Sequence, residues 1–209
     1  MSIDEIIAYI EGLGGGLTLK PQPGDGSPEI SWGDSFFYCA PDGVVPKSRP
    51  FATIATKDYP DDQDSRLDRP GAFRVNFAAG VDEFVKRTGQ EPRQLKRASY
   101  AVDPSNADVV IPHPVCGSLG WLSVVNPGPE TESVVRDLLH KAHGDGDNRL
   151  PPGQPHPVRH FGNIHGRNGR SRAAADNVEN ASRVRKALPA VLLFKLPWRK
   201  HGPSTGTIT

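Results

Sequence analysis

The 209-residue chain predicts an α+β fold, with an antiparallel sheet of about five strands covered on one face by helices in two layers, and a largely disordered basic tail behind it. Three observations point there. Strand-like segments follow one another with turn signals between them, where a parallel sheet requires alternation with helices. Helical periodicity appears at the start, after the fourth strand segment and at the end of the first 144 residues. Charge and composition then change together: residues 1–144 carry 14 Lys and Arg against 20 Asp and Glu, whereas 145–209 carry 11 against 4. The overall net charge of +1 conceals an acidic body and a basic tail.

The elements follow in chain order. Ser2 with Glu5 three residues later forms a capping box, because hydroxyl and carboxylate each satisfy an orphan backbone N–H. Ile3, Ile6, Ile7 and Ile10 recur at helical spacing behind it, and "GLGGG" stops the run. "EISW" and "SFFYCA" read as strands joined by a tight turn at Gly33 and Asp34, and "FATIATK" as a β-branched, aromatic third strand. "FRVNFA" alternates Phe73, Val75 and Phe77 with Arg74 and Asn76, so the two polar side chains share the face away from the apolar one. "GVDEFVKRTG" is a short helix closed by Gly89, and "EPRQLKRASYAVDPSNADV" is a loop with at most a helical turn. "WLSVVN" is the last strand, turned by Asn126 before Pro127. "PGPETESVVRDLLHKAH" is the last helix, with Thr131 as N-cap and Val134, Val135, Leu138, Leu139 and Ala142 as its apolar stripe.

From Asp145 the chain holds 7 Gly and 7 Pro in 65 residues and few large apolar side chains, too little burial to offset chain entropy. Residues 1–144 are therefore expected to fold and 145–209 to be mostly disordered. The Arg, Gly, Pro and His content of the tail also resembles a reading frame extended past its usual stop.

Four stretches carry a family resemblance: "SPEISWGDSFFYCAPDGVVP", "PFATIATKDYP", "LDRPGAFRVNFAAG" and "PHPVCGSLGWLSVVNPGPET". Over about residues 1–144 the chain resembles an uncharacterised bacterial family, domain-of-unknown-function family 6194. The resemblance brings no activity, substrate or cofactor with it. The element order is also similar to small α+β domains of the YjbR type, an analogy that bears on fold alone.

Composition excludes several classes. The acidic opening "MSIDEIIAYIEGL" is no secretory signal, and "ALPAVLLF", interrupted by Pro189, falls far short of a membrane span. A cytoplasmic protein without membrane contact is expected. Cys39 and Cys116 have neither disulfide-framework nor zinc-module spacing. Asp62, Asp64 and Asp68 fail as a calcium loop, since Leu67 stands where the sharp turn needs Gly. His140, His143, His156, His160 and His165 have no fixed spacing with Cys or carboxylate, so neither a metal nor a cofactor is expected.

Three leads remain. His113 is a candidate general base for a Cys116 nucleophile, but Pro112 and Pro114 favour an extended segment in which side chains three apart diverge. The competing assignment is a hydrogen-bonded structural His, an inert Cys and a core Trp121, the last also a candidate ligand contact. Lys57, Asp58, Arg69 and Arg74, with Asn76, are candidates for a polar pocket binding an anionic group, or else a solvated loop with surface ion pairs. Finally Arg167, Arg170, Arg172, Arg183, Arg185, Lys186, Arg199 and Lys200, with Phe161 and Trp198, are candidates for weak nucleic-acid contact through the tail. A good scaffold without an assembled catalytic constellation favours a small binding or regulatory domain, for a small molecule or a protein partner, over an enzyme.

Overall fold

A computed structural model describes residues 1–95 and 102–147. Helix α1 (Ile3–Gly12) starts at the complete Ser2–Glu5 capping box. Strands β1 (Gly16–Leu19), β2 (Ser35–Cys39), β3 (Ala52–Ala55) and β4 (Arg74–Ala78) follow, then α2 (Gly80–Thr88), β5 (Val110–Pro112), β6 (Trp121–Val125) and α3 (Glu132–Asp147). Six strands form one antiparallel sheet in the order β1-β2-β3-β4-β6-β5. The fold is α+β, as expected, with one strand more than the sequence suggested.

One face of the sheet carries the main apolar core. Phe37, Ile54, Val75, Phe77, Leu122 and Val124 meet Ile6, Ile7 and Ile10 of α1, Phe84 of α2, and Val135, Leu138, Leu139 and Ala142 of α3. The helical stripes read from the sequence are the buried ones, because each helix presents its apolar side to the sheet. Gly89 closes α2 in the left-handed conformation, where a side chain would be strained.

Several elements differ from expectation. "EISW" is not a strand: residues 29–31 make a 3-10 turn. The Ser31 hydroxyl donates to Pro28 O at 2.7 Å, so local hydrogen bonding replaces a ladder. The strands "GLTL" and "VIP" escape the pattern because four and three residues are too few to display alternation.

The last helix is capped differently too. Thr131 directly precedes α3, but its hydroxyl donates to the Asp108 carboxylate. That carboxylate also accepts the amides of Gly128 (2.7 Å), Glu130 (3.1 Å) and Thr131 (3.0 Å). A residue twenty positions upstream of Gly128 thus satisfies the donors at the helix start. Asn126 has a left-handed φ of 42°, and its side chain accepts the Phe73 amide at 2.8 Å, tying the end of β6 to β4.

Among the described residues no helix is long and apolar enough to cross a membrane. The basic side chains and histidines from His156 onward lie outside the described residues.

Candidate functional site

The second sheet face is where sequence and burial part company. Strand register aligns Leu19, Phe36, Thr53, Asn76, Ser123 and Ile111 in one row across all six strands. Directly opposed residues of antiparallel strands point to the same side. Three polar side chains therefore sit mid-sheet between apolar ends, and all six are buried. The next row holds Ala55, Arg74 and Val125, equally buried.

Among the described residues no helix covers this face. The segment 56–73 does, and Arg74 is what it closes on. Leu67 and Ala72 of that segment pack with Ala55 and Val125. The Arg74 guanidinium donates through Nη1 to Asp62 Oδ1 at 2.9 Å and to Ser65 Oγ at 2.8 Å, through Nη2 to Asp62 Oδ2, and through Nε to Asn76 Oδ1 at 2.8 Å. Asn76 Nδ2 passes the chain on to Thr53 Oγ1 at 2.9 Å. Arg74 is 0% exposed and Asp62 2%, so this is a fork-on-fork pair in the interior. Such a pair gives little net stability against apolar replacement, but losing one partner strands the other charge.

A second carboxylate lies alongside. Asp34 Oδ1 accepts from the Thr56 amide (2.8 Å) and hydroxyl (3.1 Å), and Oδ2 accepts from the Tyr59 hydroxyl. Burial pushes the Tyr59 phenol well above its usual range, and the Asp34 carboxylate beside it pushes the same way. Tyr59 is thus a fixed donor. Buried Asp34 and Asp62 and the Arg74 guanidinium all act on the Tyr59 phenol.

His113 sits at the far end of the face, edge-on to Trp121 with ring centroids 6.4 Å apart. Its Nδ1 accepts the amides of Val115 (3.1 Å) and Cys116 (3.2 Å), which assigns the ring proton to Nε2. Arg74 Nη2 lies 3.3 Å from that Nε2, so the contact sets donor against donor. The imidazole meets the Cys116 backbone, holding the turn that leads into β6. Cys116 is buried, and both cysteines are free of disulfides.

The remaining sequence candidates do not converge with Arg74. Lys57 Nζ donates to Trp32 O. Asp58 Oδ1 accepts the Leu67 amide at 2.8 Å while its own amide donates to Asp68 at 3.0 Å, so both carboxylates brace the covering loop. Arg69 reaches outward to Ser105 O at 2.7 Å. Arg74 and Asn76 do share one face, and Trp121 lies on that same side beside His113. Among the described residues no group of three His, Cys, Asp or Glu could hold a metal.

Sequence reasoning missed Asp34, Thr53, Tyr59, Ser65 and Ser123. The sequence offers Asp62 only as a calcium-ligand candidate. A usable signal existed in Arg74 and Asn76, two polar residues at alternate positions of a strand whose other face is plainly core. One member of the face stands apart. Ser123 Oγ, 0% exposed and directly opposite Asn76, has no hydrogen-bond partner among the described residues.

Fold and site together define a small two-layer α+β domain with helices on one sheet face and a buried polar array under a loop on the other. The chain belongs to the family described as "Family of unknown function (DUF6194)", whose model matches residues 1–152. It matches no curated protein and no solved structure.

Proposed function

We propose that this is a small soluble cytoplasmic binding domain that holds a small molecule against the sheet face opposite the helices, beside Ser123, Ile111, His113 and Trp121. The observation that carries the reading is Ser123 Oγ, fully buried and unpartnered in a row where Thr53 and Asn76 are hydrogen-bonded. A buried hydroxyl without a partner costs about 1–3 kcal/mol, and an alanine would remove that cost. A ligand atom at Ser123 supplies the missing partner. Buried polar residues that weaken a fold are expected at functional sites.

The same geometry speaks for binding over catalysis. His113 Nδ1 is taken by two amides, so it holds the turn and does not serve Cys116 as a base. Ser123 and its neighbours are all buried, so a ligand enters by displacing part of the cover. Association is then slower than the roughly 10⁵–10⁷ M⁻¹s⁻¹ of preformed surfaces. In this reading residues 1–144 are the functional unit and 145–209 an appendage, which limited proteolysis tests by the fragment that survives.

The binding reading is tested by screening a library of small polar compounds against ¹⁵N-labelled full-length protein. Hits should shift the amides of Ile111 and Ser123 and the Trp121 indole. Hits confined to the helical face, or none across the library, would count against it.

A further inference from the structure

We infer that the ligand of this site is uncharged and pairs a hydrogen-bond donor and acceptor, as a carboxamide does, with an apolar body; the inference rests on the site proposed above. The charged groups on this face are already committed to one another. All four guanidinium donors of Arg74 that meet oxygen go to Asp62, Ser65 and Asn76, and the remaining Nη2 direction faces His113 Nε2. The His113 ring, 3.3 Å from Nη2, closes off that last N–H, so an anion has no open approach to the guanidinium. It also meets the excess of Asp34 and Asp62 over Arg74 in the interior, a repulsion that low-dielectric surroundings amplify.

A cation fares no better. Both Asp62 oxygens accept from Arg74, and both Asp34 oxygens are engaged by Thr56 and Tyr59. A cation beside Ser123 and Asn76 would find only carboxylates already held by fixed donors, and a buried charge without a partner of its own is costly.

What the face does leave is neutral. The Ser123 hydroxyl offers one donor and two acceptor lone pairs with none in use. Asn76 Nδ2 carries two N–H groups, of which Thr53 takes one. Directly across the sheet, Asn76 and Ser123 present a donor beside a donor–acceptor, the complement of an amide edge. The flanks are apolar: Ile111 opposes Ser123 on β5, while Trp121 and Val125 lie two residues either side of it on the same strand face. A neutral polar head with an aliphatic or aromatic body fits both parts.

Three probes of like chain length separate the possibilities: butyramide, butyrate and butylammonium, titrated at millimolar concentration into ¹⁵N-labelled full-length protein and into Ser123→Ala. Butyramide should shift the Ser123, Ile111 and Trp121 signals with at least about tenfold tighter binding than either ion. In Ser123→Ala that response should be lost. Equal or stronger binding of butyrate or butylammonium at these resonances overturns the neutral class and leaves the site standing. Silence of all three probes there, the result expected if a buried water alone satisfies Ser123, overturns the class and the site together.

Discussion

Arg74 and Asp62 meet fork on fork in the interior, joining the start of β4 to a loop that sequence alone reads as solvated. The pair is what closes the second sheet face. Asp62→Asn or Arg74→Met, each leaving one side of a buried pair unmatched, should cost about 3–5 kcal/mol. The double variant Asp62→Leu with Arg74→Met should recover much of that loss, because it removes both desolvated charges. Urea unfolding of the four proteins checks this, and a double variant no more stable than the singles would refute it.

Asp108 and the start of α3 form an independent bracket. Asp108→Ala should destabilise by about 1–2 kcal/mol, the range for loss of a helix cap. Gly128→Ala should harm the same contact, since an added Cβ would lie 2.5 Å from Asp108 Oδ2. Chemical denaturation of each variant reads both effects.

The Asp108 bracket has a pH signature. Burial raises the Asp108 pKa, but hydrogen bonds from Thr131, Gly128 and Glu130 outweigh it and hold the carboxyl below its usual value. With the folded pKa depressed, the contribution is complete above the unfolded value of about 3.9 and is lost as pH falls through the folded pKa. The stability gap between the native chain and Asp108→Asn should therefore be constant near neutrality and narrow below pH about 3.9. A gap that grows on acidification would contradict the assignment.

His113 and Cys116 should behave as structure. Both thiols are buried, so a thiol-exchange reagent should leave Cys39 and Cys116 unmodified in the native protein and react with both after unfolding. His113→Ala should cost about 1–3 kcal/mol through the two stranded amides. Rapid labelling of Cys116 in the native state, slowed by that substitution, would restore the nucleophile reading.

Much of the helical side was legible in the sequence, because amphipathic period and capping chemistry are local: the Ser2–Glu5 box, the isoleucine stripe and Gly89 all stand where the pattern put them. The second face was legible only as far as Arg74 and Asn76 sharing a side. What covers them depends on a loop whose Asp62 and Ser65 turn inward while Asp61 and Arg66 stay exposed, and no periodicity marks that choice. Strands β2, β3 and β6 are buried on both faces, so they lack the alternation that would have assigned their sides. Ser123 was hidden for the same reason, and Asp108 because its partners lie twenty or more residues away.

The most direct measurement is the stability of Ser123→Ala against its ability to bind butyramide. A hydroxyl that waits for a ligand is a burden on the empty protein, so the variant should be as stable as the native chain or more so, by about 1 kcal/mol, and should lose the response at Ile111 and Trp121. A variant that is clearly less stable, or that binds butyramide as the native protein does, would mean that Ser123 serves the fold and that the face holds no ligand there.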